Sequence, residues 1–132
     1  MTAPPLSPRA VRRAGAAALA AALAACGGRS PGLPEGPPLV RGPVESIVAR
    51  ATGTGIRVGP GPGSREACGI AAVADAGTRY LRRTDPGGLR PAALADLQVG
   101  DTVEVYVDGP VAESCPVQGR AAAVVLVARP VP

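Results

Sequence analysis

The stretch TVEVYVD, residues Thr102–Asp108, decides the fold of this chain because its side chains alternate strictly between apolar and polar. Successive side chains of a β-strand point to opposite faces of a sheet. The segment is therefore predicted to be a strand with Val103, Val105 and Val107 in the core. Glu104 and Tyr106 are expected to point away from the core and to be exposed.

A second strand is predicted over Ala121–Ala128, which is apolar throughout. A strand that lacks alternation is typical of a sheet covered on both faces. We therefore expect this strand to lie next to Thr102–Asp108 or within a barrel wall.

Four further strands are predicted upstream from their β-branched and alternating residues, at Val44–Ala51, Ile56–Val58, Cys68–Ala74 and Thr78–Arg83. The last two flank Asp75-Ala76-Gly77, a three-residue loop that predicts a β-hairpin. Proline at the start and leucines three residues apart predict one short helical turn or two within Pro91–Leu97.

Five or six short strands with one short helix before the penultimate strand fit an all-β fold, a small OB-like barrel. An open β sandwich is the alternative. The core would be built from Val, Ile, Leu and Ala, since the chain has no Trp and no Phe. A small domain with such a thin core is expected to be marginally stable.

The amino terminus has the features of an export signal. Arg9, Arg12 and Arg13 precede an uncharged run over 14–25, which is too short to cross a bilayer. The following tetrad, Leu23-Ala24-Ala25-Cys26, resembles the lipobox of bacterial lipoproteins. The resemblance implies that residues 1–25 are a signal peptide and that Cys26 carries a lipid. An Ala-rich amphipathic helix with an unrelated cysteine is the alternative.

This interpretation places the protein outside the cytoplasm, anchored in the cell membrane or outer membrane by the lipid on Cys26. Residues 26–43 follow as a linker, because ten of the 17 residues over 27–43 are Gly or Pro. The alternative is an arm that packs against the domain. The β domain itself is predicted over residues 44–132.

The charge of the chain does not indicate nucleic-acid binding. All 14 basic residues are Arg, and three of them fall in residues 1–25, whereas none of the ten acidic residues does. The mature chain therefore has 11 basic against ten acidic side chains. Its arginines are scattered and its only aromatic residues are Tyr80 and Tyr106, so the basic face and stacking platform of nucleic-acid proteins are missing.

Two cysteines, Cys68 and Cys115, remain after Cys26 is assigned to the lipid. An even pair in an exported chain predicts a disulfide. Two buried free thiols and a redox-active pair are the alternatives, and no Cys-x-x-Cys spacing supports the latter. A metal site is a poor interpretation, because two distant cysteines without His lack the usual ligand set.

The composition also limits the chemistry. Without His there is no Ser-His-Asp or Cys-His mechanism, and without Lys there is no Walker-type phosphate loop. A hydrolase built on Ser114, Glu113 and Asp108 would lack a base that works near neutral pH. We therefore predict no enzyme activity, no catalytic residues and no cofactor.

A spaced set of residues forms a pattern over residues 97–121, namely Gly100-Asp101, Gly109, Glu113-Ser114, Pro116, Gln118 and Ala121. At these positions the segment resembles the YobA-like family of small bacterial exported or lipoprotein domains of unknown function. The chain departs from the family at Cys115, where the family usually has Tyr. The resemblance implies a small β-barrel at the cell envelope and no particular activity.

These features together predict a lipid-anchored envelope protein whose non-catalytic domain binds a protein or another envelope component. The candidate binding residues are Tyr106, Glu113 and Ser114. A structural or stress-related lipoprotein without a specific ligand is the alternative.

Overall fold

The computed structural model describes residues 32–131 and shows an all-β domain. Its seven strands are β1 (Val40–Arg50), β2 (Gly53–Val58), β3 (Ile70–Ala74), β4 (Arg79–Thr84), β5 (Gly88–Pro91), β6 (Thr102–Val107) and β7 (Val117–Ala128). The helical turn predicted within Pro91–Leu97 is present as a single 3-10 turn, Leu94–Asp96.

Five of the strands close into a barrel, which confirms the predicted small barrel over the open sandwich. They follow one another as β3-β2-β1-β6-β7, and a parallel pairing of β3 with β7 joins the two ends. Closure removes the free edges of these strands. Strands β4 and β5 extend the sheet outward from β7.

Strand β1 pairs with β6 along its first part and with β2 along its second part. Residues 40–43 pair with β6, and residues 46–50 pair with β2, with an irregularity in register between Val44 and Ser46. The extra residue in a β-bulge bends a strand. The bulge also reverses which side chains point inward, so Val40 and Val44 face the interior before it and Ile47 packs on the core after it.

The barrel interior is filled by aliphatic side chains, as predicted from the composition. Val103 and Val105 have no exposed surface, and Val107 is half-buried against the same cluster. The predicted register of β6 is therefore confirmed. The apolar run in β7 is also confirmed as buried over residues 121–126, of which residues 123–126 lie between β6 and β4.

The prediction that the outer face of β6 is exposed was wrong. Glu104 and Tyr106 do point away from the barrel interior, yet each is only 4% exposed. A second apolar cluster covers this face, with members Leu81, Tyr106, Ala123 and Val125 and with Leu33 and Leu89 packed against them. The covering residues come from β4, β5 and the segment before β1, which are distant from β6 in sequence.

The predicted hairpin at Asp75–Gly77 was also wrong. Strands β3 and β4 do not pair with each other, since both run parallel to β7, β3 along residues 117–120 and β4 along residues 123–126. The turn between them is held by other contacts. Gly77 N–H donates to the Asp75 carboxylate at 2.9 Å, and the Thr78 hydroxyl donates to the Ala121 carbonyl at 2.7 Å.

The domain begins earlier in the chain than predicted. Strand β1 starts at Val40 rather than residue 44, and Leu39 and Val40 are buried. Leu33 packs against the second cluster, so part of the expected linker lies on the domain. The predicted signal peptide, the predicted lipidation site Cys26 and residues 27–31 lie outside the described residues. Strand β5, with its Gly and Pro ends, had not been predicted.

The predicted disulfide between Cys68 and Cys115 is present, with a Cα–Cα distance of 5.2 Å. It joins the β2–β3 connection to the β6–β7 connection, and both residues are exposed at the surface. The bond lies just before the parallel seam of the barrel, where Ile70 pairs with Val117.

Truncation of Val105 tests the register of β6. The Val105→Ala variant is expected to lose roughly 1–3 kcal/mol of unfolding free energy, from lost apolar burial plus an incompletely collapsed cavity. Val99 is 63% exposed, so Val99→Ala is a matched control that should be nearly neutral. Equal effects of the two substitutions in urea denaturation would contradict the assignment of Val105 to the core.

Candidate binding surfaces

The three binding residues predicted from the sequence do not form one exposed patch. Glu113 and Ser114 are exposed in the connection between β6 and β7, whereas Tyr106 is buried under the second cluster. The Ser114 hydroxyl donates to the Pro116 carbonyl at 2.7 Å, so it closes a turn. Tyr106 cannot contact a partner without displacement of the residues that cover it.

Asp108 lies beside Arg120 rather than beside Ser114. Arg120 donates to both carboxylate oxygens of Asp75, at 2.6 and 2.9 Å, and contacts Asp108 at 3.5 Å. The hydrogen bond from Arg120 lowers the pKa of Asp75, and the same bond raises the pKa of Arg120. This exposed cluster ties the β3–β4 turn to β7, and it offers no base to the Ser114 hydroxyl.

Glu104 is a buried carboxylate held by two arginines. Arg83 donates to one carboxylate oxygen through Nε at 3.0 Å and Nη2 at 2.6 Å. Arg41, its cross-strand neighbour on β1, contacts the other oxygen at 3.5 Å. The bond to Glu104 raises the pKa of Arg83, and burial together with the nearby Glu104 charge raises the pKa of Tyr106.

Asp101 forms a second buried ion pair close by. Its side chain is 1% exposed and accepts from Arg129 Nε at 3.0 Å. The Gln98 N–H donates to the same carboxylate at 2.9 Å. Burial alone would raise the pKa of Asp101, but the bonds from Arg129 and Gln98 outweigh it and hold that pKa below its usual value.

Two adjoining depressions lie beside these ion pairs and share Val127 and Ala128 in their walls. The larger one encloses about 550 Å³. Their arginines are Arg41, Arg82, Arg83 and Arg129. We call the two depressions together the arginine groove. Arg41 and Arg83 lie with Glu104 on the outer face of β6, whereas Arg82 pairs with Leu126 in a row that faces the barrel interior. The apolar lining of the groove includes Pro43 as well as the two shared residues.

A different surface lies on the outer faces of β1, β2 and β3, and we call it the β1–β3 face. One cross-strand row places Arg57 between Ser46 and Ala71, and the next places Gly55 between Val48 and Val73. The missing side chain at Gly55 leaves a depression of about 220 Å³ between the two valines. The side chain of Arg50 lies over Gly55.

The β1–β3 face has the exposed apolar groups and free charges of a binding surface. Val48 is 52% exposed and Val73 is 37% exposed. Within residues 32–131, neither Arg50 nor Arg57 has a carboxylate within ion-pair distance. Guanidinium groups beside apolar side chains can engage a chain that presents both carboxylates and aliphatic groups.

The sequence reasoning missed both surfaces. The alternation of Ile56-Arg57-Val58 does place Arg57 on an outer face, and the alternation of β3 could have placed Val73 there. Neither pattern indicates that these residues meet Val48 across three strands, because the pairing of strands depends on the whole barrel.

Comparison of the chain with known protein families, characterised proteins and solved structures gave no match. None of the structure described between residues 32 and 131 is a helix with the length and hydrophobicity needed to span a bilayer. The same residues contain no group of three or more potential metal ligands.

Proposed function

We propose that this protein is a lipid-anchored component of the cell envelope whose barrel is a non-catalytic binding module. In this proposal the β1–β3 face binds an acidic segment of a protein partner. The observation that carries the proposal is the β1–β3 face itself, with two exposed valines beside two arginines that have no ion pair among the described residues.

The chemistry of the face favours a protein over a nucleic acid. Single-stranded nucleic acids are bound largely through stacking on aromatic side chains. Of the two aromatic residues in the chain, Tyr106 is buried and Tyr80 packs against the barrel core. The β1–β3 face can instead make aliphatic contacts flanked by hydrogen-bonded Arg–carboxylate pairs.

Lipid attachment is proposed from the tetrad that ends in Cys26 and is tested there. Cys26→Ser should abolish incorporation of labelled fatty acid and release the protein from membranes, because the thiol is the only site in the tetrad that can carry the lipid. Cys68 and Cys115 are engaged in the disulfide, so they provide no substitute thiol. Membrane retention without label would contradict the anchor.

Partner binding is tested by crosslinking in intact cells followed by mass spectrometry. The double variant Arg50→Glu/Arg57→Glu should lose a crosslinked partner that the native protein captures, and Val48→Ser should weaken capture. Arg65→Glu/Arg90→Glu is the matched control, since both arginines are exposed and lie outside the β1–β3 face. Equal capture by both double variants would overturn this assignment of the face.

The alternative, a structural or stress-related lipoprotein without a specific ligand, predicts a different crosslinking result. It predicts that no protein is captured reproducibly by the native chain and that charge reversal on the β1–β3 face changes nothing.

A further inference from the structure

The second part of strand β1, residues 46–50, has hydrogen-bonding groups on a side that no described strand covers. The first part of β1 pairs with β6 as far as Pro43, and the Gly100 N–H then donates to the Val44 carbonyl at 2.8 Å. Residues 46–50 continue beyond this point and pair with β2 on one side. Among the described residues, no strand pairs with them on the other side. We call that side the β1 edge.

The register of the β1–β2 hairpin identifies the backbone groups that point outward from the β1 edge. Arg50 pairs with Gly53 across a two-residue turn, so these residues exchange both of their backbone hydrogen bonds. Hydrogen-bonded pairs alternate along an antiparallel ladder, so Val48 is also bonded to β2. The N–H and C=O groups of Ile47 and Ala49 therefore point away from β2, and they have no backbone partner among the described residues.

The β1 edge lacks the features that protect strand edges from further pairing. Natural edges are often blocked by proline, by charged side chains or by short length. Strand β5, at the end of the sheet, has such features, because it is four residues long, ends in Pro91 and carries the exposed Arg90. Residues 46–49 read Ser-Ile-Val-Ala, without a charge or a proline. The β1 edge is therefore suited to accept another strand.

A strand added at the β1 edge would place alternate side chains on the β1–β3 face. Residues directly opposite each other on neighbouring strands have side chains on the same face. Val48 and Arg50 lie on this face, and Arg57 is the cross-strand partner of Ser46. A residue opposite Val48 would extend its apolar surface, and residues opposite Ser46 and Arg50 would lie on the side of the guanidinium groups. The face therefore favours acidic, apolar and acidic side chains at every second position of the added strand.

Charge argues against a second copy of this chain as the added strand. Antiparallel pairing of two β1 edges about Val48 would put Arg50 of one copy opposite Ser46 of the other, next to that copy's Arg57. Neither arginine has a carboxylate within ion-pair distance among the described residues. Like charges on neighbouring strands are destabilising, whereas a segment with carboxylates would form Arg–carboxylate hydrogen bonds.

We propose that the acidic partner segment binds by adding an antiparallel strand to the β1 edge. Ile47 and Ala49 would each exchange two backbone hydrogen bonds with the segment, and Val48 would pack against an aliphatic side chain between two carboxylates. Antiparallel pairing is the more stable arrangement per residue. The backbone bonds supply affinity and the side chains supply specificity. This inference rests on the proposed function of the β1–β3 face, to which it adds the conformation and sequence pattern of the segment.

The first test changes the protein. The probe is a capped, fluorescently labelled peptide with the core Glu-Thr-Val-Thr-Glu, added to the purified, oxidised native protein. Fluorescence anisotropy should show binding that weakens at least tenfold in Ala49→Pro, because proline removes an outward N–H that makes no bond to β2. Ala49→Ser keeps the N–H and is the matched control, with binding expected within twofold of the native protein. Equal binding by the two variants would overturn strand addition, provided that circular dichroism shows both to be folded.

The second test changes the peptide and leaves the protein native. N-methylation of both Thr residues removes the donors that would reach the Ile47 and Ala49 carbonyls, so binding should fall at least tenfold. N-methylation of the central Val is the matched control, because its N–H would point away from β1 and binding should stay within twofold. Hydrogen exchange at the Ile47 and Ala49 amides should slow when the unmodified peptide binds. Equal losses with the two methylated peptides, or unchanged exchange at both amides, would contradict the proposal.

Crosslinking in intact cells separates this inference from the proposed function. The expected result is loss of partner capture in Ala49→Pro and in Arg50→Glu/Arg57→Glu, with capture retained in Ala49→Ser. Capture that is lost on charge reversal but retained in Ala49→Pro would overturn strand addition and leave the proposed function in place. Capture that survives charge reversal would overturn the proposed function itself.

Discussion

Loss of the bond between Cys68 and Cys115 is expected to lower the unfolding free energy by about 4 kcal/mol, because the closed loop spans 47 positions of the unfolded chain. That is a large fraction of the stability of a small domain with a thin aliphatic core. The measurement is urea denaturation of the Cys68→Ser/Cys115→Ser variant against the oxidised native protein.

The location of the disulfide predicts which part of the barrel is destabilised most when the bond is removed. Cys68 and Cys115 lie just before β3 and β7, whose parallel ladder of four residue pairs closes the barrel. In the variant, hydrogen exchange should accelerate most along this ladder and least between β6 and β7, whose longer antiparallel ladder is independent of the bond.

Reductant provides the internal control for this prediction. Both cysteines are exposed, so dithiothreitol should reach the native bond and bring the native protein to the stability of the double variant. A difference of less than about 1 kcal/mol between oxidised protein and variant would contradict the chain-entropy account for this loop.

The predictable parts of the fold are those that depend only on the side-chain pattern within one strand. The alternation in β6 and the apolar run in β7 are local patterns, and both strands lie where those patterns require. The disulfide likewise needed no knowledge of strand pairing, since Cys68 and Cys115 can form only one intramolecular bond once Cys26 is set aside as the predicted lipidation site.

The errors came from contacts between segments that are distant in sequence. Tyr106 was expected to be exposed because the alternation in β6 makes it point away from the buried valines. The alternation gives only the direction of the side chain and not what lies beyond it. Whether that outer face meets solvent depends on Leu33, Leu81 and Leu89, which no pattern in β6 can reveal. The hairpin at Asp75–Gly77 failed for the same reason, because β7 competes for both strands as a parallel partner.

The candidate surfaces illustrate the same limit. The β1–β3 face depends on the row that joins Val48, Gly55 and Val73 across three strands, and the bulge after Val44 sets which residues of β1 face outward. The arginine groove combines residues from β1, β4 and the end of β7. These arginines are scattered along the sequence, so a count of charges could not predict that they line the same feature.

Removal of Arg83 should reveal the cost of leaving Glu104 buried without its main partner. Glu104 has a side chain that is 5% exposed, and Arg83 supplies its two shorter hydrogen bonds. Breaking such a pair from one side leaves an uncompensated charge in a poorly solvated site. Because Arg41 stays within 3.5 Å, we expect Arg83→Met to lose roughly 2–3 kcal/mol, at or below the lower end of the usual range.

Arg82→Met is the matched control. Arg82 is the preceding residue on the same strand, is exposed, and has no ion pair among the described residues, so its replacement should cost less than about 0.5 kcal/mol. The combination Arg83→Met/Glu104→Gln should recover most of the loss, because the amide can be buried beside Tyr106 without a charge.

The Glu104→Gln background distinguishes an uncompensated charge from a simple loss of packing. Glu104→Gln removes the carboxylate charge, so Arg83→Met should cost much less unfolding free energy in that background than in the native protein. Both differences are measured by urea denaturation at neutral pH. Both backgrounds keep there the stability that comes from the lowered pKa of Asp101, which is present above its unfolded value and disappears as the pH falls through the folded one. An equal cost of Arg83→Met in the two backgrounds would mean that Arg83 stabilises the barrel through its aliphatic stem alone, and that Glu104 does not hold the arginines of the groove in place.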